Sequence, residues 1–217
     1  MANENKIAKK LKSAPTHDDQ RDIGLELFVA RIFSIAGCQV TYEPDTKGPD
    51  FLIGLGNESF YCETKRIREN LPPLQGQWRF VDMNSDESKK LAYTICEKFR
   101  QLKTGQPNFI YVRSNRFKVE KTDLEKAWMY LLKQAQGGNS EFFRAEGYDD
   151  EKEFLERAGY CNGIILHHFW VNSDESSKPY SVFANQHPRV QTSNIALGII
   201  HKAIAIPFKF TDAGSGT

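Results

Sequence analysis

The feature that most constrains the fold of this chain is a hairpin signal at Gly56-Asn57. Two strand-like segments, 50–55 and 58–67, flank the dipeptide, and a Gly-Asn pair between strands is typical of a two-residue turn. If Leu55 pairs with Glu58, the register carried outward from the turn sets Asp50 opposite Glu63. Directly opposed residues share one face of the sheet, so the turn brings two carboxylates together.

This register predicts a polar cluster. Lys65 lies two positions after Glu63 and therefore shares its face, whereas three residues are expected to face the other way: Phe60, Cys62 and Thr64. Opposed carboxylates repel each other unless they share a proton or bind a cation. Carboxylate oxygens suit Mg²⁺ or Mn²⁺, and the backbone carbonyl of Thr64 offers a third oxygen. With an amine close by, the cluster predicts metal-assisted hydrolysis of a phosphodiester.

These residues resemble a known motif. Pro49-Asp50, a gap of twelve residues and then Glu63-Thr64-Lys65 are similar to the PD-(D/E)xK motif of nucleases with a restriction-endonuclease-like fold. The preceding helix carries an acidic residue, Glu26, as helices in that family do, and the resemblance covers about residues 18–115. It implies an α/β fold in α-β-β-β-α-β order, with a mixed central sheet flanked by helices. It also implies a Mg²⁺- or Mn²⁺-dependent nuclease with Asp50 and Glu63 as ligands, Lys65 assisting the base and Glu26 as an auxiliary acid.

Further elements follow from capping and periodicity. Thr16 or Asp18 caps a helix that runs to about Ala36 and ends at Gly37. Periodicity predicts the remaining elements of the core. These are strands at 38–43, 108–113 and 161–170, helices at 85–103 and 122–135, and apolar stretches at 180–184 and 195–207. We expect a basic N-terminal arm over 1–15, a single domain over 16–210 with an acidic helical insertion at 141–158, and a disordered tail at 211–217.

Charge is balanced in total but uneven along the chain. The 29 basic and 28 acidic residues give a net charge of +1, which gives no sign of binding polyanions over the whole surface. Segment 64–121, however, has thirteen basic and six acidic residues, and 141–176 has three and nine. The basic segment predicts phosphate contacts beside the cluster, from Arg66, Arg68, Lys89, Lys90, Arg113 and Arg116. Trp78 and Phe80 could stack on bases.

Composition also indicates the compartment. The four cysteines include no C-x-x-C pair, which is typical of buried thiols in a reducing compartment and predicts a cytoplasmic protein. The apolar runs are shorter than the roughly 18–20 residues that span a bilayer, so no membrane partner is expected.

Several alternatives remain open from the residues alone. Glu63 and Lys65 could be a solvated ion pair on an edge strand, and Glu26 could face solvent or pair with Arg31 or a lysine. The chain could be a catalytically silent nucleic-acid-binding module, or a protein-interaction subunit acting through 141–158. DNA is the expected substrate, while RNA, single-stranded and branched substrates stay open, as does assembly as a homodimer or with a partner subunit.

Overall fold

A six-stranded mixed sheet is the centre of the fold. The computed structural model describes residues 2–45, 47–67, 87–114, 121–168 and 180–206. The strands are β1 (Gln39–Tyr42), β2 (Phe51–Leu55), β3 (Glu58–Arg66), β4 (Asn108–Ser114), β5 (Cys161–His168) and β6 (Tyr180–Ala184). They lie side by side in chain order. The pairs β1–β2, β2–β3 and β5–β6 are antiparallel, whereas β3–β4 and β4–β5 are parallel.

Seven helices in the described ranges accompany the sheet: α1 (Ala2–Ser13), α2 (His17–Ile35), α3 (Glu87–Phe99), α4 (Lys121–Gln136), α5 (Ser140–Ala145), α6 (Glu151–Ala158) and α7 (Asn194–Ile204). The α/β class and the mixed sheet flanked by helices are therefore confirmed. Thr16 caps α2 by accepting the backbone N–H of Asp19, and Gly37 follows the helix with φ +94°, as the capping pattern predicts.

The predicted hairpin register is confirmed. Leu55 pairs with Glu58 next to the turn, and the ladder continues away from the turn as far as Phe51, which lies opposite Cys62. Gly56 has φ +61°, a conformation that an L-residue with a side chain rarely adopts and that the two-residue turn requires. Asp50 lies one residue before β2, so it meets the end of β3 where the two strands part.

Each face of the sheet has its own core. Phe60 and Cys62 of β3 pack with Phe109 and Tyr111 of β4 under α2 and α7. On the other face, Ile110 and Val112 pack with α3, α4 and α6. Glu63 and Lys65 pair with Ile110 and Val112 in the parallel ladder, so both belong to the face that α3 covers.

The N-terminal segment differs from the expected arm. Residues Ala2–Ser13 form a helix with Ile7 against the core under α2. Lys6 donates to the backbone carbonyl of Glu43, with the two atoms 3.1 Å apart. The polar sequence concealed this docking because the contacts that hold the helix are mainly charged.

The acidic region 141–158 is helical, as predicted, and is also part of the core. Its helices α5 and α6 bury Phe143 and Phe154, whose rings stack with centroids 4.4 Å apart. Between these helices the buried Tyr148 donates to the carbonyl of Cys96 in α3. The region thus contributes apolar side chains to one of the two cores, and its acidic residues lie on its outer side.

Two remaining predictions have simple outcomes. All four cysteines are free and buried, as expected of small apolar side chains. No helix among the described residues is long and apolar enough to cross a membrane.

Arg68, Trp78, Phe80 and Arg116, together with the 211–217 tail, lie outside the described residues.

Candidate active site

A charged cavity of about 510 Å³ opens where β2 and β3 part. Its walls come from α2 on one side and α3 on the other, with the residues before Asp50 at its edge. The sequence-predicted cluster and Glu26 line it together. Its charged residues are Lys10, Asp22, Glu26, Lys47, Asp50, Glu63, Lys65, Arg66 and Lys98.

Asp50 is linked to the end of β3 by three hydrogen bonds. Its backbone N–H donates to Oε2 of Glu63 at 3.1 Å. Its Oδ2 accepts the backbone N–H of Thr64 at 2.8 Å and the Thr64 hydroxyl at 2.6 Å. In the ladder Thr64 pairs with Tyr111, so it belongs to the face opposite Glu63, as expected, but its hydroxyl still bonds Asp50. Asp50 lies beyond the regular ladder, so its carboxylate reaches across the strand to the hydroxyl.

Glu63 is a buried carboxylate, with a side chain only 1% exposed. Burial raises its pKa to about 8, and the nearby charge of Asp50 acts in the same direction. Lys98 of α3 opposes this shift, with Nζ 2.5 Å from Oε1 of Glu63. Burial acts to lower the pKa of Lys98, but the bond to Glu63 and the charges of Glu63, Asp50 and Glu97 together raise it above the ordinary value. The opposed carboxylates are therefore only partly neutralised by this one lysine.

Lys65 takes a different partner. Its Nζ lies 2.8 and 3.1 Å from the two carboxylate oxygens of Glu97 on α3. The alternative of a solvated edge-strand pair between Glu63 and Lys65 is thus wrong. Strand β3 lies between β2 and β4, and Glu63 is buried under α3.

Glu26 faces the cavity from α2. It accepts a hydrogen bond from the buried hydroxyl of Tyr42, and Nζ of Lys10 lies 3.0 Å from both of its carboxylate oxygens. Burial raises the pKa of Glu26, as does the charge of Asp50, while the bonds from Tyr42 and Lys10 act against the shift. Of the alternatives left open by the sequence, pairing with a lysine is correct and a solvent-facing Glu26 is wrong.

The predicted phosphate contacts separate into different environments. Arg66 is only 5% exposed and bonds Asp22 at 2.8 Å and Asp18 at 2.7 Å, so its charge is used inside the protein. Arg113 is half-buried with its guanidinium over the ring of Phe28. Lys89 and Lys90 are exposed on α3.

Sequence reasoning missed four residues that contact the predicted cluster or Glu26: Lys10, Tyr42, Glu97 and Lys98. Glu97 and Lys98 adjoin the buried Phe99 of α3. The spacing of apolar residues along this helix could therefore have predicted that this turn packs against the sheet. No comparable signal joins Lys10 to Glu26, because that contact depends on how α1 folds back.

The donor atoms fit a hard divalent cation. Asp50 and Glu63 offer carboxylate oxygens, and the third acid Glu26 faces the same cavity. Burial raises the pKa of Glu63 and the charge of Asp50 adds to the shift, and a bound cation would act against both. No group of three or more His, Cys, Asp and Glu side chains in the described part of the chain is already arranged as a metal site. Oε1 of Glu63 is bonded to Lys98, and its Oε2 to the backbone N–H of Asp50.

Comparison of the chain with protein-family models, with curated proteins and with solved structures finds no match.

Proposed function

We propose that this protein is a metal-dependent endonuclease that hydrolyses phosphodiester bonds in DNA, on a restriction-endonuclease-like core. The observation that carries the proposal is the direct link between Asp50 and Glu63, which share one cavity with four lysines. The α-β-β-β-α-β order from α2 to β4 supports the fold part of the proposal. The family motif supplies the reaction class, and a restriction or phage-defence role would use that reaction.

Asp50, Glu63 and the backbone carbonyl of Thr64 would hold Mg²⁺ or Mn²⁺. Such a cation supplies Lewis-acid chemistry, which activates water and neutralises charge on a phosphate. Thr64 fixes the orientation of Asp50 through two hydrogen bonds. Glu63 is fixed by the backbone N–H of Asp50. The acids are thus positioned before any substrate arrives, which reduces the cost of ordering them.

Lys65 would act on the phosphate and on the proton of the attacking water. Glu97 holds its ammonium on the α3 side of the cavity. A lysine in this position stabilises negative charge that develops on the non-bridging phosphate oxygens. Glu26 would accept a proton or a second water contact from the α2 side, since Lys10 and Tyr42 hold its carboxylate at the cavity.

A cleavage panel tests the proposal. Purified protein is incubated with duplex, single-stranded and branched DNA and with RNA, each with Mg²⁺, Mn²⁺ or EDTA. We expect metal-dependent cleavage of DNA that falls by at least roughly a hundredfold in Asp50→Ala and in Lys65→Ala. Lys133→Ala, an exposed lysine of α4, is the matched control and should cleave normally. Cleavage that persists in both site variants would show that another activity is responsible.

A catalytically silent nucleic-acid-binding module is the second candidate. The observation in its favour is that Lys65 and Glu63 already have internal partners, Glu97 and Lys98, as in a purely structural cluster. This candidate predicts salt-sensitive DNA binding with no turnover. It also predicts no heat on titration with MnCl₂, whereas the nuclease predicts a saturable one.

A further inference from the structure

Lys98 is bonded to one of the paired acids of the cavity, Glu63, and it is not the lysine of the motif. Its side chain is 12% exposed, and its Nζ lies 2.5 Å from Oε1 of Glu63. The side-chain oxygen of Gln101, one turn further along, accepts a second bond at 3.0 Å. The ammonium is therefore held at the floor of the cavity and not on the outer surface.

The lysines Lys65 and Lys98 have separate partners beside one helix. Lys65 is bonded to Glu97, which is 44% exposed, whereas Lys98 is bonded to the fully buried Glu63. Glu97 of α3 thus holds the Lys65 ammonium towards the rim of the cavity, whereas the ammonium of the next residue, Lys98, points towards the acid pair. Of these two lysines, Lys98 is the one that neutralises a carboxylate that a cation would need.

An ammonium and a divalent cation compete for one carboxylate. Both are positive, so they repel each other at the short separation that binding to one carboxylate imposes. Glu63 has its other oxygen bonded to the backbone N–H of Asp50. Oε1 is therefore the oxygen that must be released, and Gln101 is the acceptor already in place to receive the ammonium.

We propose that Lys98 is an exchangeable counter-ion of Glu63, which occupies the carboxylate in the metal-free protein and yields it to a divalent cation. This inference rests on the proposed function, because it takes Asp50 and Glu63 as the ligands. Lys98 consequently lowers the affinity for the cation. When no cation is bound, it neutralises the buried carboxylate of Glu63. After release it remains in the cavity as a cation beside the position of the phosphate.

Calorimetric titration with MnCl₂ at pH 8, with no nucleic acid present, measures this competition. Lys98→Gln keeps a hydrogen-bond donor without the charge, and it should bind Mn²⁺ roughly tenfold more tightly than the wild type. Lys133→Gln, the matched control, should bind as the wild type does. Equal or weaker binding by Lys98→Gln would overturn the inference and leave the proposed function standing. No binding by the wild type would overturn both.

A second measurement covers the case in which Lys98→Gln does not fold. In wild-type protein with ¹³C-labelled lysines, the Cε resonance of Lys98, assigned with Lys98→Arg, should move as MgCl₂ is added. The resonance of Lys133 should stay in place, and Asp50→Ala should abolish the movement. A Lys98 resonance that stays fixed while Mg²⁺ binds would contradict the exchange.

Discussion

At the scale of single residues, the Asp50 carboxylate is oriented by one neighbour. Thr64 gives it both a backbone N–H and a hydroxyl, and both reach Oδ2. Thr64 also has the backbone carbonyl that we expect to serve as the third ligand. The residue between Glu63 and Lys65 therefore links Asp50 to β3, a role that a motif written as E-x-K leaves unspecified.

This coupling gives a prediction for Thr64. Thr64→Val keeps the shape and the backbone N–H but removes the hydroxyl, and it should lower Mn²⁺ affinity by about tenfold, as removing a hydrogen-bond partner of a metal ligand does. Thr64→Ser retains the hydroxyl and should bind nearly as the wild type does. Calorimetry on both variants measures the difference. Wild-type affinity in Thr64→Val would mean that the backbone bond alone orients Asp50.

The predictability of the site residues depends on their separation in the chain. Asp50, Glu63 and Lys65 can be grouped from the sequence because a two-residue turn fixes their register. Strand alternation correctly assigns Thr64 to the face opposite Glu63, but it does not reveal the bond from the Thr64 hydroxyl to Asp50, which lies outside the regular ladder. Lys98 and Lys10 cannot be assigned from the sequence, since their contacts with Glu63 and Glu26 join different elements.

At the scale of elements, helices that looked peripheral complete the molecule. Helix α1 brings Lys10 to Glu26 and Tyr42 at the wall of the cavity. Helices α5 and α6 bring two phenylalanines into the core beside α3, the helix that supplies Lys98. A test of partner binding through 141–158 therefore has to change surface charges, because deletion would remove part of the core.

The acidic region gives the prediction at this scale. Phe154 is fully buried, so Phe154→Ala should lower the free energy of unfolding by about 3–5 kcal/mol. Glu156→Gln changes an exposed residue of the same helix and should alter it by less than about 0.5 kcal/mol. Urea denaturation followed by circular dichroism compares them. A small decrease in Phe154→Ala would indicate that α6 folds apart from the sheet.

At the scale of the whole molecule, the fold pairs several basic residues from the described part of segment 64–121 with acids. Lys65, Arg66, Lys98 and Lys103 pair with acids at Glu97, Asp22, Glu63 and Asp45. Three of these acids lie outside the segment. Among the described residues of this segment, the positive charges are therefore largely paired with acids, whereas Lys89 and Lys90 are exposed on α3.

This distinction predicts the salt dependence of DNA binding. The double variant Lys89→Gln, Lys90→Gln should reduce the slope of log K against log salt by up to roughly 2, since each phosphate that a lysine neutralises adds about 0.9 to that slope. Arg66→Gln should leave the slope unchanged and lower the melting temperature, because it removes a buried guanidinium that is bonded to Asp18 and Asp22. Fluorescence anisotropy in EDTA with labelled duplex measures the slope. A reduced slope in Arg66→Gln would place Arg66 at the DNA.

The sequence by itself determined the elements that depend on neighbours in the chain: the capped helix α2, the hairpin at Gly56-Asn57, and the facing of Asp50 and Glu63. Backbone sterics, capping and the two-residue period of a strand act over a few residues, so they can be read directly. Only the tertiary structure decided which charges neutralise the acids. An ammonium on a long, flexible side chain can reach any acid that packing brings near, and packing is set by the whole chain.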